Sequence, residues 1–268
     1  MLIDTHCHIN IMLKKAFDVA LSTQELADAK KIVELAQTNN SNKIINVGTS
    51  VIESQNCLAL AKEYEACTAT VGIHPNDCTT DWQDDFKQII AMLNADQDNN
   101  IVGIGECGID LHYKGYNLER QQAAFRAHIE LAIERKLPLV VHSRDAQKET
   151  MEILKEYKDT ALFGVIHCFS GDLTFAQQAV AWGFVIGIDG PITYPNNHQL
   201  REVVQTIGLG NIILETDAPF LPPQIIRGKK NHPLHIRTIA AYIATMLSTT
   251  EDVVANITTD NAQRIFRL

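Results

Sequence analysis

The sequence predicts an α/β fold, a single TIM-type (β/α)8 barrel domain over residues 1–268, and three observations predict it. Eight short apolar runs rich in β-branched residues recur along the chain, at 2–5, 44–48, 67–73, 101–104, 137–141, 162–166, 183–188 and 212–214. Buried parallel strands read as continuous apolar runs because both of their faces are covered. Consecutive runs lie about twenty to forty residues apart, which suits a helical crossover between parallel strands. Finally, an open dinucleotide-binding sheet would place GxGxxG after the first strand, and IDTHCHI stands there instead. A chain of 268 residues, 46% of them hydrophobic, is long enough for one such barrel and its core.

Taken in order, the first run leads into His6 and His8, which a period of two places on the same side of a strand. A helix follows at 22–39, opened by a capping-box pair, Ser22 and Glu25, ahead of Leu26, Ile32, Val33 and Leu35. Residues 118–136 carry Ala123, Phe125, Ile129, Ala132 and Ile133 at helical spacing with charge between them. Helices at 172–182 and 200–207 fill later gaps, and 251–266 closes the chain.

The formal net charge of −9 argues against a broad basic surface for wrapping duplex DNA, while leaving room for a local basic rim around an acidic pocket. None of the six cysteines forms a CxxC pair, so zinc ribbons and redox motifs are not supported. Strand alternation is expected to turn Cys7, Cys107 and Cys168 away from the site, as small hydrophobes in a reducing compartment. No basic segment followed by an apolar stretch opens the chain, and no apolar run reaches the roughly eighteen residues of a membrane span. The expectation is a cytoplasmic protein with no membrane association and no obligate protein partner.

In such barrels the working residues stand where strands end and βα loops begin. Those places hold His6 and His8, then His74, Glu106, His142, His167 and Asp217: five of the ten histidines and two carboxylates. Singly, each has an ordinary alternative as a satisfied buried histidine, a cap or a loop residue. Jointly they converge on one rim, where buried imidazoles and carboxylates cost several kcal/mol unless something pairs with them. One or two divalent cations would do so. Six candidate ligands exceed a closed four-ligand zinc site, and a mixed imidazole and carboxylate shell suits zinc or manganese and tolerates magnesium.

The same residues carry a family resemblance. DTHCHIN, GIHP, GECGIDLHY, LPLVVHSRDA, IHCFSG, ETDAPFL and RGKKN, in this order, resemble the motifs of the TatD family of metal-dependent deoxyribonucleases along effectively the whole chain. The resemblance implies metal ligation by His6, His8, Glu106, His142, His167 and Asp217, with Glu106 as the bridge. It further implies that Asp217 accepts a proton from the attacking water, which leaves Asp217 and Glu106 as the catalytic pair, and that His74 and Arg144 lie near the substrate phosphate. Three departures bear on substrate choice: His232 where the family usually has Glu, Pro195 where many relatives carry a basic residue, and His112 where an aromatic is common.

The expected activity is divalent-metal-dependent phosphodiester hydrolysis, exonucleolytic, on single-stranded DNA or frayed ends. His74, Arg144 and His112 are expected to hold phosphoryl oxygens or protonate the leaving group. Arg227, Lys229 and Lys230 would bind flanking phosphates, and Tyr113 and Tyr116 would stack on a base. The competing readings are hydrolysis of a small ester, lactone, amide or phosphotriester on the same barrel, and a non-enzymatic metal-binding role.

Overall fold

Eight strands form one sheet in sequence order, each parallel to its neighbour: β1 (Leu2–Cys7), β2 (Ser41–Val47), β3 (Cys67–Val71), β4 (Ile101–Asp110), β5 (Leu139–Arg144), β6 (Gly164–Ile166), β7 (Phe184–Ile188) and β8 (Ile212–Leu214). The computed structural model describes residues 1–14 and 16–268. Around the sheet run α1 (Ile9–Leu13), α2 (Thr23–Gln37), α3 (Val51–Glu63), α4 (Trp82–Ala95), α5 (Leu118–Arg135), α6 (Gln147–Glu156), α7 (Leu173–Ala181), α8 (His198–Ile207), α9 (Ile236–Met246) and α10 (Glu251–Phe266). The capping box of α2 forms as expected, with Ser22 Oγ accepting from Glu25 N at 3.3 Å and Glu25 Oε2 accepting from Ser22 N at 2.9 Å. Among the described residues no helix is long and apolar enough to cross a membrane.

Inside the barrel, Ile3, Ile45, Val47, Val102, Val140, Val165, Val185 and Ile213 pack together, and Ala262, Ile265 and Phe266 of α10 close the cluster from below. Their neighbours Leu139, Val141, Ile166, Ile186 and Leu214 pack with the helices instead. Each fully buried Val or Ile stabilises the fold by about 1.5–3 kcal/mol. This alternation also aims the site, because His142 and His167 lie two residues beyond inward-facing Val140 and Val165.

The barrel closes between β8 and β1 through the segments just beyond the strands. Asp217 N donates to His6 O at 2.9 Å, and His8 N donates to Ala218 O at 2.8 Å. Beside this seam the buried Asp4 carboxyl accepts from Thr216 N at 2.9 Å and meets Thr216 Oγ1 at 2.6 Å. Burial pushes Asp4 up to about 8 against the pull of the Thr216 hydrogen bonds. Asp4→Ala strands two buried donors and is expected to cost about 2–4 kcal/mol of stability in urea unfolding. The isosteric Asp4→Asn should cost distinctly less. Equal losses from both would show that the seam does not depend on these bonds.

Strand limits differ from the sequence expectation most where the site begins. β4 runs on from Ile104 to Asp110, and β5 extends through His142 to Arg144. An apolar-run criterion stops at the first polar residue, whereas these strands continue because Gly108, Ile109 and Asp110 pair in register with His142, Ser143 and Arg144. α1, α3, α4, α6 and α9 have no individual counterpart among the helices read from the sequence. α3 illustrates why: its buried positions include Glu53, Ser54 and Asn56, so no apolar stripe marks it.

Candidate metal centre

Glu106 owes its position to the two glycines around it. Gly105 (φ +130°) and Gly108 (φ +145°) occupy backbone conformations that side chains resist, and a Cβ on Gly108 would sit 2.0 Å from the His142 carbonyl. The strand register shifts between Ile104 and Cys107, so β4 bulges against β5 and turns Glu106 inward. β1 shows a comparable shift between Asp4 and Cys7, beside His6.

The expected ligands converge, and they divide around the two oxygens of Glu106. Oε2 lies 3.4 Å from His6 Nε2, which is 3.2 Å from His8 Nε2 and 3.8 Å from Asp217 Oδ1. His8 Nε2 itself is 3.3 Å from that Asp217 oxygen. Oε1 lies 2.7 Å from His142 Nδ1 and 2.8 Å from His167 Nε2. His6, His8, Glu106, His167 and Asp217 are buried, and His142 is partly so.

The donor set fits cations. His8 Nδ1 lies 3.0 Å from the Val47 carbonyl, which can only accept, so in neutral His8 the lone pair sits on Nε2, facing the Asp217 carboxylate. Two acceptors in contact require a proton or a cation between them. His142 repeats the arrangement: Asp110 Oδ2, 3.2 Å from Nε2, orients the ring while Nδ1 faces Glu106. Against the cost of burial, Glu106 and Asp217 are held below the usual carboxylate range by neighbouring imidazoles. His8, His142 and His167 are raised despite burial by the facing carboxylates, whereas burial and His167 lower His6. His6 Nδ1 and Glu215 Oε2 are buried without a hydrogen-bond partner among the described residues.

His74 stands at the edge of this cluster, its Nε2 3.7 Å from Glu106 Oε1. Its Nδ1 accepts from Asn76 N at 3.1 Å, which leaves the ring proton on Nε2. Burial and His142 drive the ring down to about 3, so His74 is a neutral donor aimed inward. Arg144 lines the mouth of the cleft, its guanidinium 5.3 Å from the Tyr113 ring centroid. The cleft encloses about 800 Å³.

Other expected contacts lie elsewhere. His112 pairs with Asp145 at 2.8 Å, half exposed, and is not among the residues lining the cleft. Arg227 packs its guanidinium 4.5 Å from the Tyr194 ring on an exposed loop, and Lys229, also exposed, does not line the cleft either. Nor does Tyr116, although Tyr113 does. Cys7 and Cys107 pack outward as expected. Cys168 instead lines the cleft, because a positive φ of 45° breaks strand alternation after His167.

Three buried carboxylates escaped sequence reasoning: Asp110 against His142, Glu215 3.6 Å from His167 Nδ1, and Asp189 in the cleft wall. Asp110 and Glu215 stand inside quoted motifs. Asp189 has the inward phase of Val185 on β7, and reading that strand's end like the others would have found it.

Comparison with known proteins supplies the last observations. A family model described as TatD related DNase matches residues 3–267. An uncharacterized metal-dependent hydrolase, YabD of Bacillus subtilis, is 34% identical over 268 residues, covering 100% of both chains. The 3'-5' ssDNA/RNA exonuclease TatD of Escherichia coli is 34% identical over 236 residues, 85% of this chain and 90% of the relative. The crystal structure of YJJV, a TatD homolog from Escherichia coli, superposes with a TM-score of 0.88 at 29% identity, covering 100% of this chain and 98% of that one.

Proposed function

Because the chain belongs to the TatD-related DNase family of metal-dependent hydrolases, we propose that its cleft hydrolyses the terminal phosphodiester of single-stranded or frayed DNA. The observation that carries the reading is Glu106, whose two oxygens face different imidazoles at the floor of a cleft with an arginine at its mouth. By likeness to the Escherichia coli exonuclease, nucleotides leave from the 3′ end.

His6, His8 and Asp217 would hold one divalent ion and His142 and His167 a second, with Glu106 shared; magnesium, manganese and zinc all suit the donors. Bound there, such ions supply charge neutralisation for the phosphoryl oxygens and a nucleophile at neutral pH. The remaining work falls to side chains. Asp217 accepts the proton of the attacking water as the new P–O bond forms. His74 donates from Nε2 to a non-bridging oxygen, and Arg144 holds the phosphate at the mouth. The departing sugar oxygen takes up a proton from solvent as its P–O bond breaks, and Asp217 returns its own proton to solvent.

Stripped protein reloaded with each metal and given end-labelled single-stranded and duplex DNA tests this. A ladder of shortened strands is expected. No cleavage with any metal, despite metal bound, would move the assignment to a small ester, lactone or phosphotriester. His74→Ala is expected to lower turnover about 10–100-fold with metal content unchanged. Loss of metal in that variant would make His74 a ligand.

A further inference from the structure

Hydrolysis as derived gives Asp189 no task, yet its setting is a costly one. It directly follows β7, it is 1% exposed, and it lines the cleft. Its Oδ2 has no hydrogen-bond partner among the described residues. A buried carboxyl oxygen left unpaired costs about 1–3 kcal/mol, which a ligand group would relieve.

The surroundings limit what that group can be. Burial disfavours the charge on Asp189, and the carboxylates of Glu215 and Asp217 disfavour it further, while Cys168 and His167 offset this only in part. Arg144, on β5, is the only lysine or arginine lining the cleft among the described residues. The wall around Asp189 continues with Ser170, Pro191 and Asn197, which are uncharged. A phosphate therefore finds its cationic side chain at Arg144. A sugar hydroxyl suits the place in either protonation state, since it donates to a carboxylate and accepts from a carboxylic acid.

We propose that Asp189 selects strand ends, its carboxyl taking the terminal sugar hydroxyl of the nucleotide about to be released. The inference rests on the nuclease reading above. A strand that continued past this point would offer no free hydroxyl to that carboxyl, so the same contact favours ends over internal sites.

The test uses metal-loaded full-length protein and single strands identical except at the 3′ terminus: 3′-hydroxyl DNA, 2′,3′-dideoxy, 3′-phosphate, and a terminal 3′-deoxyribonucleotide that keeps only the 2′-hydroxyl. A matching pair with 5′-hydroxyl and 5′-phosphate covers the other polarity. Wild type is expected to cleave the hydroxyl end about 10–100-fold faster than the dideoxy and phosphate ends. Asp189→Ala should bring the hydroxyl end down to the dideoxy rate, with metal content unchanged and no loss of melting temperature. Asp189→Asn, which preserves shape and replaces one acceptor with a donor, should narrow the gap between hydroxyl and phosphate ends.

An Asp189→Ala or Asp189→Asn protein that cleaves but keeps the wild-type ratios would overturn the assignment while leaving the nuclease reading intact. Equal preference for the 2′-hydroxyl terminus would also overturn it, because internal ribonucleotides carry that group. A wild type that cleaves none of the strands removes the nuclease reading and this inference together.

Discussion

Asp217→Asn is expected to lower turnover on single-stranded DNA by about 10²–10⁴-fold, the range for losing a positioned general base. The substitution is nearly isosteric, and the backbone bond from residue 217 to His6 O at 2.9 Å does not involve the side chain, so the barrel seam survives. What disappears is a carboxylate held below the usual range, 3.3 Å from His8 Nε2. An amide there can still turn its oxygen towards a cation but cannot accept a proton. Melting temperature and metal content measured beside kcat separate the outcomes. Unchanged turnover would remove Asp217 from the proton-accepting role. Loss of one ion with the activity would make it chiefly a ligand.

Glu106→Gln should be as damaging for a different reason. Glu106 lies between the imidazoles, 3.4 Å from His6 through one oxygen and 2.7 and 2.8 Å from His142 and His167 through the other. Glutamine removes a full charge and replaces one acceptor with a donor, which opposes a cation on that side. Metal per chain is expected to fall by about half or more, and turnover by about 10³-fold, as when a preorganised electrostatic group is lost. Metal analysis after gel filtration reads the first and the strand assay the second. Two ions retained per chain would show that the imidazoles and Asp217 suffice and that Glu106 does not bridge.

How much of this was readable beforehand differs by residue. His6 and His8 could be placed from spacing alone, and His142 and His167 from the apolar runs they terminate. Glu106 could be named but not aimed, because its direction depends on a bulge that two positive-φ glycines permit. His112 and Arg227 were placed at the site because they follow strands, but a loop's direction is set by what it packs on, here Asp145 and Tyr194. Asp189 was overlooked, although it shares the phase of Val185.

The sequence by itself determined the eight βα units, their order around the barrel and the identity of six convergent polar groups. Those features are written in short-range periodicity and in strand ends, where burial and alternation act over a few residues. Tertiary structure alone decided which atoms face one another. The two-sided setting of Glu106, the Asp4–Thr216 seam across 212 residues, and the unpaired Asp189 oxygen all arise from contacts between distant segments. Such contacts follow from barrel closure and bulge geometry, which no local window of residues encodes.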